Sequence, residues 1–154
     1  MADVAFLWHM HQPDYRDHAT GEFRRPWTYL HALKDYTDMA AHLERNPTMR
    51  AVVNFVPVLL DQIEDYVRQF DAGIFRDPLL RLLARESLND MDAAERSLVL
   101  ATCFPGNHAR MVAPYPRFER LRNLYRQLDG QGETATAYLS GSFFSDVLVW
   151  YHLV

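Results

Sequence analysis

Two short apolar runs that are each followed by a proline constrain the fold of this chain more than any other feature. The first is VAFLWHMH, residues 4–11, with Pro13 just beyond it, and the second is RAVVNFVP, which ends at Pro57. Runs of this length that are rich in β-branched and aromatic residues are typical of buried strands. Between them, over residues 28–45, apolar residues recur at helical spacing. The sequence therefore predicts a βαβ unit over residues 1–57, with parallel strands and a right-handed crossover.

The ends of the crossover helix have sequence signals of their own. Thr28 is placed to act as the N-cap, since its hydroxyl can accept a hydrogen bond from the first turn. Asn46 and Pro47 predict the end of the helix, because proline disfavours a helical conformation in the residue before it. We therefore expect one crossover helix with short linkers to both strands.

The remaining chain, residues 58–154, predicts helices and no further convincing strand. Asp77 is expected to cap one helix, Asp92 and Glu95 have capping-box spacing before another, and a further helical face ends at Gly130. The last segment, SFFSDVLVWYHLV, is an apolar helix. Directly after the second strand, an amphipathic helix is marked by Leu59, Leu60, Ile63, Tyr66, Val67 and Phe70.

The composition limits the classes of function. The chain has 16 basic and 20 acidic residues, a formal net charge of −4 and no run of like charge. A nucleic-acid-binding protein usually carries a basic stripe, so we expect no nucleic-acid partner. We recognise no signal peptide and no apolar run that could cross a bilayer, so we expect no membrane partner. Cys103 is the single cysteine, which excludes an internal disulfide and fits a cytoplasmic location.

Two parallel strands need neighbours, because such strands are usually buried on both faces. The sequence also ends within an apolar helix, whereas chain ends are usually polar. We therefore expect residues 1–154 to be the front part of a larger parallel-sheet or barrel domain. The alternatives are a self-contained helical domain with a small sheet, or an oligomer that shares its core through the apolar C-terminal segment.

The first strand ends in two histidines whose side chains are expected to lie on one face. Alternate residues of a strand face the same way, so His9 and His11 should be neighbours. In α/β folds, chemistry gathers beyond the carboxyl ends of parallel strands. Gln12 adds an amide with donors and acceptors, which suits sugar hydroxyls. Trp27 and Tyr15 offer aromatic faces for the C–H surface of a sugar.

The same two histidines allow two other interpretations. A His-x-His pair on a strand can supply two metal ligands. The third ligand would then come from one of four nearby residues, which are His18, His31, Asp14 and Asp17. A purely structural role is the remaining interpretation, and the spacing alone does not decide among the three.

Several longer segments resemble the N-terminal region of glycoside hydrolase family 57. They are FLWHMHQPDY, RRPWTYLHALKDYTDMAAHLE and RAVVNFVPVLLDQIEDY, followed by FPGNHARMVAPYPRFERLRNLY and DVLVWYHLV. The first motif of that family is a His-Gln-Pro triplet, which stands here as His11, Gln12 and Pro13. The segments follow one another in order over nearly the whole chain, and this order is more specific than the triplet alone.

The resemblance implies a (β/α)7-type barrel and a retaining glycoside hydrolase or transglycosidase acting on α-glucans, as α-amylases and 4-α-glucanotransferases do. It implies a Glu nucleophile and an Asp acid/base, whose carboxyl groups stand about 5–5.5 Å apart in retaining enzymes. Both come from later motifs of the family, and neither is matched to a residue here. We therefore expect residues 1–154 to be the N-terminal portion of one catalytic barrel domain, with a βαβ unit over 1–57 and a helical segment over 58–154, inactive as it stands.

The resemblance assigns roles only to residues of the first motif and its surroundings. His11 is expected to bind hydroxyls of the sugar being cleaved, in an α-glucan or a maltooligosaccharide, and His9 to share that task. Gln12 is expected to support either the loop or the ligand, and Trp27 to stack on a sugar ring. No cofactor and no metal is implied.

Two other functions stay open at this point. One is a metal-dependent hydrolase of the polysaccharide deacetylase or α-mannosidase type, in which His9 and His11 hold a metal that activates water. The other is a non-catalytic module that binds carbohydrate or a protein partner.

Overall fold

The structure, a computed structural model, describes residues 4–129 and 133–154. The chain divides into two compact units, Met1–Arg81 and Leu82–Val154. The first unit contains a two-stranded parallel sheet and helices, and the described residues of the second form helices and connecting loops without a strand. The expectation of a mostly helical chain with a small parallel sheet is therefore confirmed.

The sheet consists of β1 (Phe6–Met10) and β2 (Ala51–Phe55), which pair in parallel. This confirms the predicted strands and their direction. The expected burial of the strands is wrong, because Leu7 and Val52 are exposed and only Met10 at the end of β1 is buried. In the described part of the chain no other strand joins this sheet, and these apolar positions are ones that α/β folds usually cover with helices.

The crossover between the strands is one continuous helical stretch with a change of winding in its middle. It consists of α1 (Trp27–His31), a π-helical turn (Ala32–Tyr36) and α2 (Thr37–Arg45). The hydroxyl of Thr37 donates a hydrogen bond to the carbonyl of Ala32, five residues earlier, at 2.9 Å. This bond spans the π-helical turn, in which the backbone also bonds across five residues. The helix ends before Asn46, as predicted.

The predicted N-cap of this helix is wrong. The helix begins at Trp27 after Pro26, and no side chain caps its first turn. Thr28 therefore lies inside the helix, where its side chain is fully buried. Its hydroxyl donates to the side-chain carbonyl oxygen of Gln62 at 3.1 Å, which gives both buried groups a hydrogen-bond partner.

Helix α3 (Pro57–Ala72) follows β2 directly, where an amphipathic helix is predicted. Pro57 stands in the first turn, and Gly73 ends the helix in the left-handed conformation. The buried face is not the apolar one that the spacing suggests. Leu59 and Tyr66 are buried, whereas the expected apolar positions Leu60, Val67 and Phe70 are exposed. Polar residues fill the rest of the buried face, namely Gln62, Asp65 and Gln69.

Helix α4 (Pro78–Leu83) begins at the cap predicted for it. The Oδ1 atom of Asp77 accepts hydrogen bonds from the backbone amides of Leu79 and Leu80 at 2.9 and 3.3 Å. The hydroxyl of Tyr66 donates to the other carboxylate oxygen of Asp77 at 3.0 Å. Burial raises the pKa of Asp77 above its ordinary value. This helix completes the core of the first unit, which consists of Phe23, Tyr29, Tyr66 and Leu80.

In the described residues from Ala93 onward, the second unit has four α-helices and a short 3-10 helix. Asp92 and Glu95 form the predicted capping box at the start of α5, in which each side chain accepts from the backbone amide of the other. The predicted helix stop at Gly130 lies outside the described residues. The helices are α5 (Ala93–Cys103), α6 (His108–Met111), α7 (Pro116–Asp129) and α8 (Gly141–Leu153), with the 3-10 helix at Glu133–Tyr138.

Helix α8 contributes five buried apolar side chains to the second unit. Phe144, Val147 and Leu148 are fully buried, whereas Val149 and Leu153 are exposed. The oligomer expected through this segment stays a prediction. Across the described residues, none of the helices combines the length and the apolar character needed to span a bilayer.

Candidate functional site

The carboxyl ends of β1 and β2 lie side by side and bring three polar side chains together. His9 is the register partner of Asn54, and the Asn54 amide nitrogen lies 3.1 Å from Nδ1 of His9. The rings of His9 and His11 are stacked, with centroids 5.8 Å apart and planes at 13°. The two imidazoles therefore share one face, as the alternation of the strand predicts, and both are exposed.

The contact with Asn54 determines what His9 offers to a ligand. The Asn54 amide nitrogen faces Nδ1 of His9, and in this arrangement Nδ1 accepts, which leaves Nε2 of a neutral ring as the donor. His9 therefore presents Nε2–H as a donor at the strand edge. The register of the parallel pair places Asn54 opposite His9, so the sheet itself brings the two side chains together.

Gln12 is held at both ends of its side-chain amide by tyrosines. Its Nε2 atom donates to the hydroxyl of Tyr36 at 3.3 Å, and the hydroxyl of Tyr15 donates to its Oε1 atom at 2.8 Å. An amide can make four hydrogen bonds, so one N–H and one lone pair remain for another partner. The two tyrosines therefore hold the Gln12 side chain in place, and it keeps spare hydrogen-bonding capacity of both kinds.

Tyr36 is the last residue of the π-helical turn in the crossover. Such a turn inserts an extra residue into helical winding and shifts the side chains around the helix axis, and it often occurs at functional sites. The contact with Gln12 links this turn to the residue that follows His11 in the chain. The tyrosine pair around Gln12 is a feature that the sequence analysis missed.

An aromatic pair stands beside this polar group. The rings of Tyr15 and Trp27 meet edge to face with centroids 5.7 Å apart. Trp27 is 46% exposed, so its ring has surface free for a ligand. The guanidinium of Arg25 lies 6.0 Å from the centre of that ring. Burial raises the pKa of Tyr15, which keeps its hydroxyl protonated as the donor to Gln12.

The loop that follows Gln12 is fixed by charged contacts. Arg16 donates from Nε and Nη2 to the carboxylate of Asp14 at 2.9 and 2.8 Å. The same guanidinium lies 2.6 Å from Asp61 and 3.6 Å from Asp65, both on α3. The hydrogen bonds from Arg16 hold the pKa of Asp14 below its ordinary value despite its partial burial. The acids near the site thus serve in ion pairs within the loop and its neighbouring helix.

The residues considered as a third metal ligand all have other charged partners. These contacts pair His18 with Asp14 at 3.6 Å, His31 with Asp35, Asp17 with Arg24 at 2.6 Å, and Asp14 with Arg16 at 2.8 Å. Within the described ranges, no three His, Cys, Asp or Glu side chains form a group that could hold a metal. The structure therefore brings His9 and His11 together, but it places none of these four candidate ligands with them as a third metal ligand.

Gln62 is the second feature that the sequence analysis missed. It lies on α3, is fully buried and bonds the backbone of the loop after Gln12. Gln62, Asp65 and Gln69 follow one another at three- and four-residue steps, which is the spacing of one helix face. That polar stripe was the available signal, although it is also what a solvent-exposed face looks like.

Comparison with known proteins gives one match. A family model described as Glycosyl hydrolase family 57 matches residues 5–143. No curated protein and no solved structure matches the chain. The matched range contains all four of the predicted sugar-binding residues and reaches into the last helix. Because the family model covers most of the sequence, this chain belongs to glycosyl hydrolase family 57.

Proposed function

We propose that this glycoside hydrolase acts on α-glucans and maltooligosaccharides, and that His9, His11, Gln12 and Trp27 bind the sugar. One observation carries the proposal, which is the stacked pair of exposed imidazoles at the carboxyl edge of the parallel strands. That edge is where α/β folds place their ligands.

The groups at this edge match the needs of a sugar. A sugar hydroxyl both donates and accepts, and His9 offers a donor while Gln12 offers one donor and one acceptor. The exposed ring of Trp27 provides an apolar surface for the C–H face of a pyranose. His11 extends the stacked imidazoles toward the loop, and we assign it to the sugar ring that is cleaved.

The proposed reaction is retaining hydrolysis or transglycosylation in a (β/α)7-type barrel in the cytoplasm. It follows from the family resemblance, with a Glu nucleophile and an Asp acid/base that we assign to no residue of this chain. We therefore expect this chain to bind a maltooligosaccharide without cleaving it. Chromatography of the sugar after incubation checks this expectation, and release of shorter products would contradict it.

Calorimetric titration with maltopentaose tests the sugar site. We expect His11→Ala to weaken binding about tenfold, because it removes a hydrogen bond to the sugar. His9→Ala should have a similar effect. The matched control is His42→Ala, since His42 is an exposed histidine on α2. Cellopentaose, a β-linked sugar of equal length, tests the preference for α-linkages.

The outcomes are distinct. Weaker binding in the two site variants with unchanged binding in the His42 variant supports the proposal. Equal affinity of the wild type and His11→Ala would remove the role given to His11. Equal affinity for maltopentaose and cellopentaose would remove the α-glucan preference and leave a general sugar site.

A further inference from the structure

Gln62 uses the full hydrogen-bonding capacity of its side chain. Its Oε1 atom accepts from the backbone amide of Tyr15 and from the hydroxyl of Thr28, both at 3.1 Å. Its Nε2 atom donates to the carbonyls of Pro13 and Val58 at 2.9 and 3.1 Å. Four bonds are the most that an amide can make, and the side chain is 0% exposed.

These four bonds allow one orientation of the amide. The Tyr15 amide is a donor, so the atom that faces it must be the oxygen, and the carbonyls of Pro13 and Val58 must face the nitrogen. A flipped amide would place two donors together at Tyr15 and acceptors together at Pro13 and Val58. Because unpaired buried polar groups are costly, the flipped state is excluded and Gln62 acts as a rigid connector.

Three of the four partners of Gln62 belong to the two segments that carry Gln12 and Trp27, and the fourth, Val58, lies on α3 itself. Pro13 and Tyr15 lie in the loop directly after Gln12, and Tyr15 in turn donates to the Gln12 side chain. Thr28 is the neighbour of Trp27 in α1. One buried side chain on α3 therefore joins the loop of the His-Gln-Pro triplet to the helix that bears Trp27.

We propose that Gln62 is a positioning residue of the sugar site, which sets the place of Gln12 through Tyr15 and of Trp27 through Thr28. This inference rests on the proposed function, because it assumes that Gln12 and Trp27 contact the sugar. It adds a residue that does not contact the ligand. Loss of this residue shifts two binding groups at once. Displacements on the ångström scale are enough to lose oriented contacts.

Gln69 provides a matched control on the same helix. It is also a buried glutamine on the buried face of α3, two turns after Gln62. Its Nε2 atom donates to Asp65 at 3.2 Å, and its Oε1 atom accepts from the backbone amide of Arg76 at 2.6 Å. Replacing Gln69 therefore removes two buried hydrogen bonds, neither of which goes directly to the triplet loop.

The test compares Gln62→Met with Gln69→Met, since methionine keeps the length of glutamine and removes its hydrogen bonds. Two readouts are taken on the whole chain, which are hydrogen exchange of the Tyr15 amide and the Kd for maltopentaose. For Gln62→Met we expect the Tyr15 amide to exchange about tenfold faster and the Kd to rise about tenfold. For Gln69→Met we expect both values to stay within about twofold of the wild type.

A milder variant keeps the test valid if Gln62→Met fails to fold. Thr28→Val is nearly isosteric and removes one of the four bonds, so the Kd should rise about threefold while the Tyr15 amide stays protected. An unchanged Kd in this variant would overturn the coupling of Gln62 to Trp27.

The two proposals fail in different ways. If Gln62→Met exposes the Tyr15 amide and leaves the Kd unchanged while His11→Ala weakens binding, the positioning role is overturned and the sugar site stands. Equal losses in the Gln62 and Gln69 variants would also overturn it, since the effect would then be general destabilisation. If the wild type binds no maltopentaose, the proposed function is overturned. The positioning role of Gln62 in a sugar site is then overturned as well.

Discussion

Helices α3 and α8 bury their inner faces by different means. In α8 the buried face is apolar and consists largely of Phe143, Phe144, Val147, Leu148 and Tyr151. In α3 the buried face carries Gln62, Asp65 and Gln69 between Leu59 and Tyr66, while Leu60, Val67 and Phe70 are exposed. Among the described side chains, no buried polar atom lacks a hydrogen-bond partner. The polar face of α3 is therefore fully satisfied.

The difference shows what each kind of burial provides. Apolar packing is strong but has little direction, because its free energy follows the area removed from water. Buried hydrogen bonds add less net free energy, yet each one requires a particular geometry. The apolar face of α8 supplies stability to the second unit, whereas the polar face of α3 specifies where the segments next to the histidines lie.

The largest expected effect is in the apolar helix. Phe144→Ala should lower the free energy of unfolding by about 3–5 kcal/mol, because it leaves a cavity at a fully buried position. The variant also removes the ring that lies 5.0 Å from the Arg96 guanidinium. Urea unfolding measures the change, and Val149→Ala on the exposed side of α8 is the control. A loss below about 1 kcal/mol would show that this helix does not carry the second unit's core.

The pH dependence of the free energy of unfolding should distinguish the contribution of the charged loop in the first unit from that of apolar packing. The pKa of Asp14 is lower in the folded state than in the unfolded chain, mainly because Arg16 bonds to its carboxylate. The folded state then binds this proton less tightly, so the contribution is present above the unfolded pKa and is lost as the pH falls through the folded one.

Asp14→Asn should therefore reduce the free energy of unfolding by about 1 kcal/mol at pH 7 and progressively less below pH 4. Urea unfolding of both proteins from pH 7 down to pH 3 measures the difference. Asp71→Asn, at an exposed position of α3, is the control. A difference that stays constant over this range would mean that the Asp14 charge does not stabilise the loop.

The capping box of α5 tests whether local hydrogen bonds in the second unit matter beside its core. Asp92→Ala should cost about 1 kcal/mol, because the amide of Glu95 loses its acceptor at 2.8 Å. Thermal unfolding gives the value, and Asp92→Asn should recover most of the loss, since asparagine is an equally good N-cap. No recovery in the asparagine variant would point to lost charge as the cause instead of a lost cap.

The smallest effect should come from the outer face of α3. Arg68 and Glu64 lie 3.8 Å apart, and both side chains are largely exposed. Arg68→Ala should change the free energy of unfolding by less than about 0.5 kcal/mol, because water and salt screen exposed pairs. Chemical unfolding at low and at high salt checks this. A loss above about 1 kcal/mol would show that the exposed face of α3 has structural contacts of its own.

Much of the local structure could be predicted. Strand β1, helix α3 and the cap formed by Asp77 follow from short-range signals, and the structure confirms them. The shared face of His9 and His11 also follows from the two-residue period of a strand. These features depend on residues close in sequence, where backbone geometry limits what a side chain can reach.

The failures share one physical cause. Thr28 looks like an N-cap and the stripe on α3 looks like a solvent-exposed face, because a polar side chain gives the same pattern whether its partner is water or protein. Gln62 meets Tyr15 and Pro13 from 47 and 49 positions away, and Gln12 meets Tyr36 from 24. Side-chain periodicity records which residues share a face, but it does not say what that face meets.

The amino-acid sequence was therefore sufficient for the family, for the order of the strands and most helices, and for the neighbouring imidazoles. These depend on local hydrogen bonding, on side-chain period and on a motif whose residues are adjacent. Contacts between residues far apart in sequence could be learned only from the tertiary structure. It buries the polar face of α3, brings Tyr36 and Tyr15 to Gln12 and pairs Asn54 with His9. Such contacts form only when the parallel strands and their crossover have brought remote segments together, since their geometry is a property of the packed fold.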